Sequence, residues 1–152
     1  MNFNKILYIR TFVLEEEGKM TRIPSESRDL LEKAIYYPML IKVLEKDLSV
    51  FKSSPFKLPK PYIELVEHIL NLVHKELYYV KRELKKQGMK VQKTKGDDTF
   101  TTYLFIYKGY EEYHSYFNPR IRNYVESLLT NYLFKRFDDQ YDPSRGTSKD
   151  TS

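Results

Sequence analysis

Residues 61–87 read PYIELVEHILNLVHKELYYVKRELKKQ, and their spacing decides the fold. Ile63, Val66, Leu70, Val73, Leu77, Val80 and Leu84 recur in steps of three and four, which stacks one side chain per turn on one face of an α-helix. A second row, Leu65, Ile69, Leu72 and Tyr79, runs beside the first. Together the rows cover nearly half of the helix circumference, so the spacing predicts a central helix touching more than one neighbour. Pro59 and Pro61 keep the preceding chain from being helical, and Pro61 suits a first helical turn. Gly88 fits the left-handed position after the last turn, and Lys85 and Lys86 complement the dipole at that end.

Working backwards, Leu31, Ala34, Ile35, Pro38, Ile41, Leu44, Leu48 and Phe51 follow helical spacing over about 26–52. Ser25 is expected to cap that helix, and Pro38 to kink it near Tyr36 and Tyr37. Ser53-Ser54-Pro55 ends that helix, and the short connection through Phe56, Leu58 and Pro59 implies antiparallel packing of the two long helices. Working forwards, residues 89–107 read as a β-hairpin around Lys95-Gly96-Asp97-Asp98. Two strands alone are marginal, so a third strand is needed or the helices must support the pair; residues 6–13 are a candidate third strand. Tyr110, Tyr113 and Phe117 have helical spacing, so 109–117 is expected to form a short helix. Asn118-Pro119 then caps a last helix over about 119–136, with Ile121, Val125, Leu128, Leu129 and Tyr132 facing inward. The expected fold is therefore mainly α: two long antiparallel helices, a hairpin laid against them and a C-terminal helical pair.

A length of 152 residues favours one domain, expected over 20–137. Residues 138–152 are polar, contain Pro, Gly and Ser, and read as a disordered tail. Residues 1–19 allow two readings. Glu15-Glu16-Glu17-Gly18-Lys19-Met20 resembles a translated ribosome-binding site, which would make 1–19 an over-extended frame and Met20 the first residue. Otherwise the segment is a flexible acidic linker.

The chain has no cysteine, which removes disulfides, thiolate metal sites and cysteine nucleophiles and fits a cytoplasmic setting. No apolar run nears the roughly 20 residues that span a bilayer, so no membrane partner is expected. His68 and His74 are six apart, not at the i, i+4 spacing of a helical metal pair, and Glu64 with His68 is an ordinary exposed pair; no metal or cofactor is expected. Glu111, Glu112 and His114 ahead of Arg120 and Arg122 could form an acid–base site if 109–117 were helical. There is no phosphate loop or nucleophile elbow, so the chain is not expected to be an enzyme.

The strongest local feature is basic. Lys81, Arg82, Lys85, Lys86, Lys90, Lys93 and Lys95 stand against one acid, Glu83, giving +6 within fifteen residues where the whole chain carries +5. On a helical wheel Lys81, Arg82, Lys85 and Lys86 share a side with His74 and Tyr78. Two readings stand: a solvated helix end, or a nucleic-acid surface made of His74, Tyr78, Lys81, Arg82, Lys85, Lys86, Lys90 and Lys93 that holds phosphates and stacks a base. The 14 tyrosines exceed what the core of such a chain needs, and tyrosine is favoured at protein interfaces.

Three pieces point to a family: Met20-Thr21-Arg22-Ile23-Pro24, Ser54-Pro55-Phe56-Lys57-Leu58, and Gly109-Tyr110-Glu111-Glu112 leading to Asn118-Pro119-Arg120-Ile121-Arg122. Over about 20–135 the chain resembles the YhjD-like group, small uncharacterised proteins of spore-forming bacilli. The resemblance implies a bacterial cytosolic setting and no particular chemistry. The function expected is a non-enzymatic protein-interaction or regulatory module, with a protein partner or a homo-oligomer formed through Leu65, Ile69, Leu72 and Tyr79. The alternative is nucleic-acid binding through the basic face at 81–95.

Overall fold

The computed structural model describes residues 22–140, with side chains through Lys135. The candidate strand at 6–13, the two readings of 1–19, and the tail beyond 140 lie outside the described residues. Three helices and three strands follow in order: α1 (Ser25–Ser53), α2 (Pro59–Lys86), β1 (Met89–Gly96), β2 (Phe100–Tyr107), β3 (Tyr110–Phe117) and α3 (Asn118–Gln140).

Both long helices form where their apolar spacing places them. Prolines occupy the first turn of α2, and Gly88 ends it at φ +67°, a value that glycine adopts without steric cost. Lys33 pairs with Glu76 at 3.7 Å and Lys52 pairs with Glu67 at 3.8 Å. The start of α1 therefore lies by the end of α2 and the reverse, so the pair is antiparallel. Phe51, Phe56 and Tyr62 close the connection, with Phe51 and Tyr62 stacked 6.1 Å apart.

Several local expectations are corrected. Ser25 is the first helical residue and makes no cap; the extended Pro24 precedes it, and the Pro24 carbonyl accepts the Arg28 amide at 2.9 Å. The buried seam of α2 runs Val66, Ile69, Val73, Leu77, Val80 and Leu84, so Ile69, not Leu70, lies on the core line. The central helix is α1 rather than α2. It buries Ile35, Tyr36 and Tyr37 in succession, then Leu40 and Ile41. Neighbouring positions on a helix point in different directions, and α1 accordingly packs on α2, β1 and α3.

The largest correction concerns 109–117, which is strand. Tyr107 and Tyr110 are joined by Lys108 and Gly109, both with positive φ (47° and 83°), the combination that a two-residue type I′ hairpin turn requires. The sheet is an antiparallel meander in the order β1-β2-β3. This supplies the third strand that the hairpin needs. Side chains alternate across it. Met89, Tyr103, Phe105 and Tyr116 point inward and join the helical core with Ile121 and Val125 of α3. Phe105, on the middle strand, is fully buried. The C-terminal helical pair is thus a strand followed by one helix.

Asn118 fastens the far end of the sheet. Its amide nitrogen donates to Thr99 O at 2.8 Å, its Nδ2 donates to Asp97 O at 2.8 Å, and its Oδ1 accepts from the Thr101 hydroxyl at 2.7 Å. The residue expected only to cap α3 is instead a clasp between that helix and the β1–β2 turn. Within the turn, Asp97 Oδ1 accepts the Thr99 and Phe100 amides, each at 2.7 Å. Those two donors, Phe100 first, hold the Asp97 carboxyl below the ordinary range.

Candidate interaction surface

The alternation that buries Phe105 leaves the other face of the sheet turned away from the helices. Cross-strand pairing sets its side chains in rows: Lys90, Ile106 and Glu111; Gln92, Leu104 and Tyr113; Lys95, Thr102 and Ser115; Phe100 and Phe117. Tyr113 is 62% exposed, Phe100 48% and Phe117 40%. Phe100 and Phe117 contact each other with ring centroids 5.6 Å apart. The hydroxyls of Thr102 and Ser115 share a 2.8 Å hydrogen bond. An antiparallel sheet with one face on a core is usually polar on the other; this one carries three aromatic rings. Single exposed apolar residues need no explanation, but Phe100 and Phe117 form a contacting pair, with Tyr113 beyond the Thr102–Ser115 row on the same face.

The open edge at β1 is protected. Lys90, Lys93 and Lys95 lie along it, and the register shifts between Lys93 and Lys95. Lysines and bulges are the usual means of preventing a strand from adding there. The exposed aromatic rings lie on the face of the sheet, not on this edge.

The basic candidates lie on the last turns of α2 and on β1. His74, Tyr78, Lys81, Arg82, Lys85, Lys86, Lys90 and Lys93 are all exposed, Tyr78 at 69%. Lys33, Lys52 and Lys60 pair with Glu76, Glu67 and Glu64. Among the described residues, none of the cations from Lys81 to Lys90 forms such a pair. Their charge is unneutralised at the end of α2 and the start of β1.

The four residues of the second apolar row do not share a surface. Ile69 is fully buried, Leu65 and Leu72 are half-buried, and Tyr79 is 50% exposed. Their angular spread around α2 carries Ile69 into the seam with α1. The tyrosines divide as well. Tyr36, Tyr37, Tyr103 and Tyr116 are core residues, whereas Tyr78, Tyr79 and Tyr113 are exposed. Burial raises the Tyr36 and Tyr37 hydroxyls well above the usual phenol range, with Glu32 adding to the shift at Tyr36 and Tyr132 at Tyr37. Both remain protonated at any physiological pH.

The strand also separates the acid–base candidates. Glu111 lies on the aromatic face and is exposed, whereas His114 lies on the inner face and is buried. Helical spacing would have joined them; period-two alternation puts them on opposite sides. It is Glu112 that meets His114, with Oε1 2.6 Å from Nε2. The imidazole stacks on Phe105 at 4.5 Å, and the Tyr116 hydroxyl donates to Glu32 Oε1 at 3.4 Å. These contacts tie β3 to β2 and to α1. Among the described residues no group of three or more His, Asp or Glu is arranged to hold a metal.

A groove of about 580 Å³ lies between α1 and α3, lined by Met39, Val43, Ile121, Val125 and Leu129 with Arg122 and Glu126 at its rim. Sequence reading gave no sign of it, because it arises from the spacing between two helices distant in the chain. No described helix is long and apolar enough to cross a membrane.

No solved structure matches the chain. A protein-family model described as YhjD protein matches residues 22–137. An uncharacterised protein YhjD of Bacillus subtilis (strain 168) is 43% identical over 115 residues, which is 76% of this chain and 96% of that relative. The match spans every described element from α1 to the greater part of α3, the sheet included, and the chain belongs to the YhjD family.

Proposed function

We infer that the protein is a non-enzymatic interaction module whose contact surface is the outer face of the sheet. The observation that carries this reading is that Phe100, Tyr113 and Phe117 are all exposed on one face of the sheet. Aromatic side chains give large contact area for little lost rotamer freedom, and they concentrate at protein–protein contacts. Glu111 stands on the face opposite His114, and the Glu112–His114 pair is withdrawn from solvent with His114 buried, which favours a binding role over a chemical one. The test is a photo-crosslinking amino acid placed at Tyr113 and, as a control, at the exposed Glu45 of α1. A discrete adduct from position 113 and none from 45 supports the reading. No discrete adduct from 113, or the same adducts from both positions, refutes it.

The unneutralised cations favour a second role, polyanion binding along Lys81, Arg82, Lys85, Lys86 and Lys90, with the exposed Tyr78 available for stacking. Exchanging Lys81, Arg82, Lys85 and Lys86 for Gln lowers the formal charge from +5 to +1. Retention on a DNA or heparin column under a salt ramp should then fall to that of a neutral protein. Unchanged retention removes this second role.

A further inference from the structure

We propose that the occupant of the outer sheet face is a second copy of this chain, seated face to face about a twofold axis parallel to β2. The proposal rests on the reading of that face as an interaction surface and adds the partner.

The argument comes from the order of residues within the rows. In the first row Lys90 stands at the β1 edge and Glu111 at the β3 edge, with Ile106 between them. A twofold axis running over β2 exchanges the two edges and keeps each row opposite itself. Lys90 of one copy then faces Glu111 of the other, and the pair occurs twice. In the second row Gln92 meets Tyr113 on either side of Leu104, which is already buried within each copy. In the third, Lys95 meets Ser115. In the last, Phe100 on β2 meets its own counterpart, and Phe117 on β3 lies over the β1 edge of the other copy. Within the four rows no like charges oppose each other, and the apolar residues lie along the axis or in the aromatic row. An isologous contact requires this self-complementarity, and a patch evolved for an unrelated partner has no reason to possess it. Aligned sheets pack with their strands within about 30° of one another, so the rows stay in register near the axis.

The size of the patch sets the strength. Three strands of eight residues span roughly 14 by 26 Å, a footprint of about 400 Å² per copy. A standard interface buries about 800 Å² per partner, so this dimer is a weak, reversible one, with a dissociation constant on the order of 100 µM. The β1 lysines hinder addition of a second sheet at that edge.

The test is sedimentation equilibrium up to about 1 mM protein, where such a dimer would predominate, applied to wild type, Lys90→Glu, Glu111→Lys and the double exchange. Each single exchange sets two like-charged pairs against each other and should weaken dimerisation by about tenfold. The double exchange restores both pairs with reversed sign and should recover most of the loss. Both positions are exposed, and circular dichroism verifies that each variant is folded. Tyr113→Lys, at an exposed position on the same face, should also abolish the dimer. A wild type that stays monomeric at about 1 mM overturns the proposal, as does a dimer indifferent to the exchanges. The crosslink from position 113 separates the two failures. A monomer that still crosslinks to one other protein retains the interaction surface and loses the second copy; a monomer with no adduct loses both.

Discussion

Ile69→Ala separates a core role for the second apolar row from an interface role. The side chain is fully buried in the seam of α2. Truncation removes three carbons, or about 2.4 kcal/mol at roughly 0.8 per buried methylene. If about 50 Å³ of the vacated space stays empty, the cavity adds about 1.2 kcal/mol. The total, about 3.5 kcal/mol, lies inside the range observed for large-to-small changes in cores. With a urea m-value of about 2 kcal/mol per molar, the unfolding midpoint should fall by roughly 1.8 M with little change in slope. Circular dichroism in a urea titration reads this directly. The shift should be the same at low and high protein concentration, because a core residue acts within one chain, whereas loss of an interface contact would track concentration. Tyr79→Ala, at a half-exposed position, should cost under about 1 kcal/mol. An Ile69→Ala loss under about 1 kcal/mol, or one that grows with protein concentration, would refute the assignment of Ile69 to the core.

Two further perturbations address the turns. Asp97→Ala removes the acceptor of the Thr99 and Phe100 amides, and both should lose hydrogen-exchange protection while Phe105 keeps its own. The same loss should appear in wild type on acidification: the folded carboxyl titrates below its ordinary range, so the turn is stabilised above that range and released as pH falls through the folded value. Gly88→Ala should cost about 1 kcal/mol from backbone strain at positive φ, since a Cβ there would meet nothing within 4 Å. Gly88→Asn should cost less, because asparagine tolerates that conformation. A thermal melt of the two variants compares them.

How much of this was legible in the chain follows from which side chains carry the pattern. The α2 seam is aliphatic on its buried side and charged on the other, so its period is plain. In β3 the buried side carries Glu112, His114 and Tyr116, two of them polar, while the exposed side carries Tyr113 and Phe117. Binary patterning assumes apolar means inside, and here it is inverted; Tyr110, Tyr113 and Phe117 happen to match helical steps. The turn was the better signal, since two residues ending in glycine between strand-forming tyrosines fit a tight hairpin. The basic candidates were legible because long cations on a helix side opposite its core have nowhere to go but water. The aromatic sheet face was not, because it exists only once β3 is a strand. The clasp at Asn118 was equally hidden: its partners lie 17 and 21 residues away in the chain.

The wiring of the fold has a consequence for how it assembles. α1 lies on α2, β1 on β2 and β2 on β3, so each element finds most of its partners next to it in sequence. Little loop-closure entropy is lost before such contacts form, which is the circumstance of rapid folding. The long reach is from α3 back to α1, and it comes last in order of synthesis. A chain still held by the ribosome can therefore complete its helical hairpin and lay down its meander in turn, leaving the docking of α3 as the step that seals the interior.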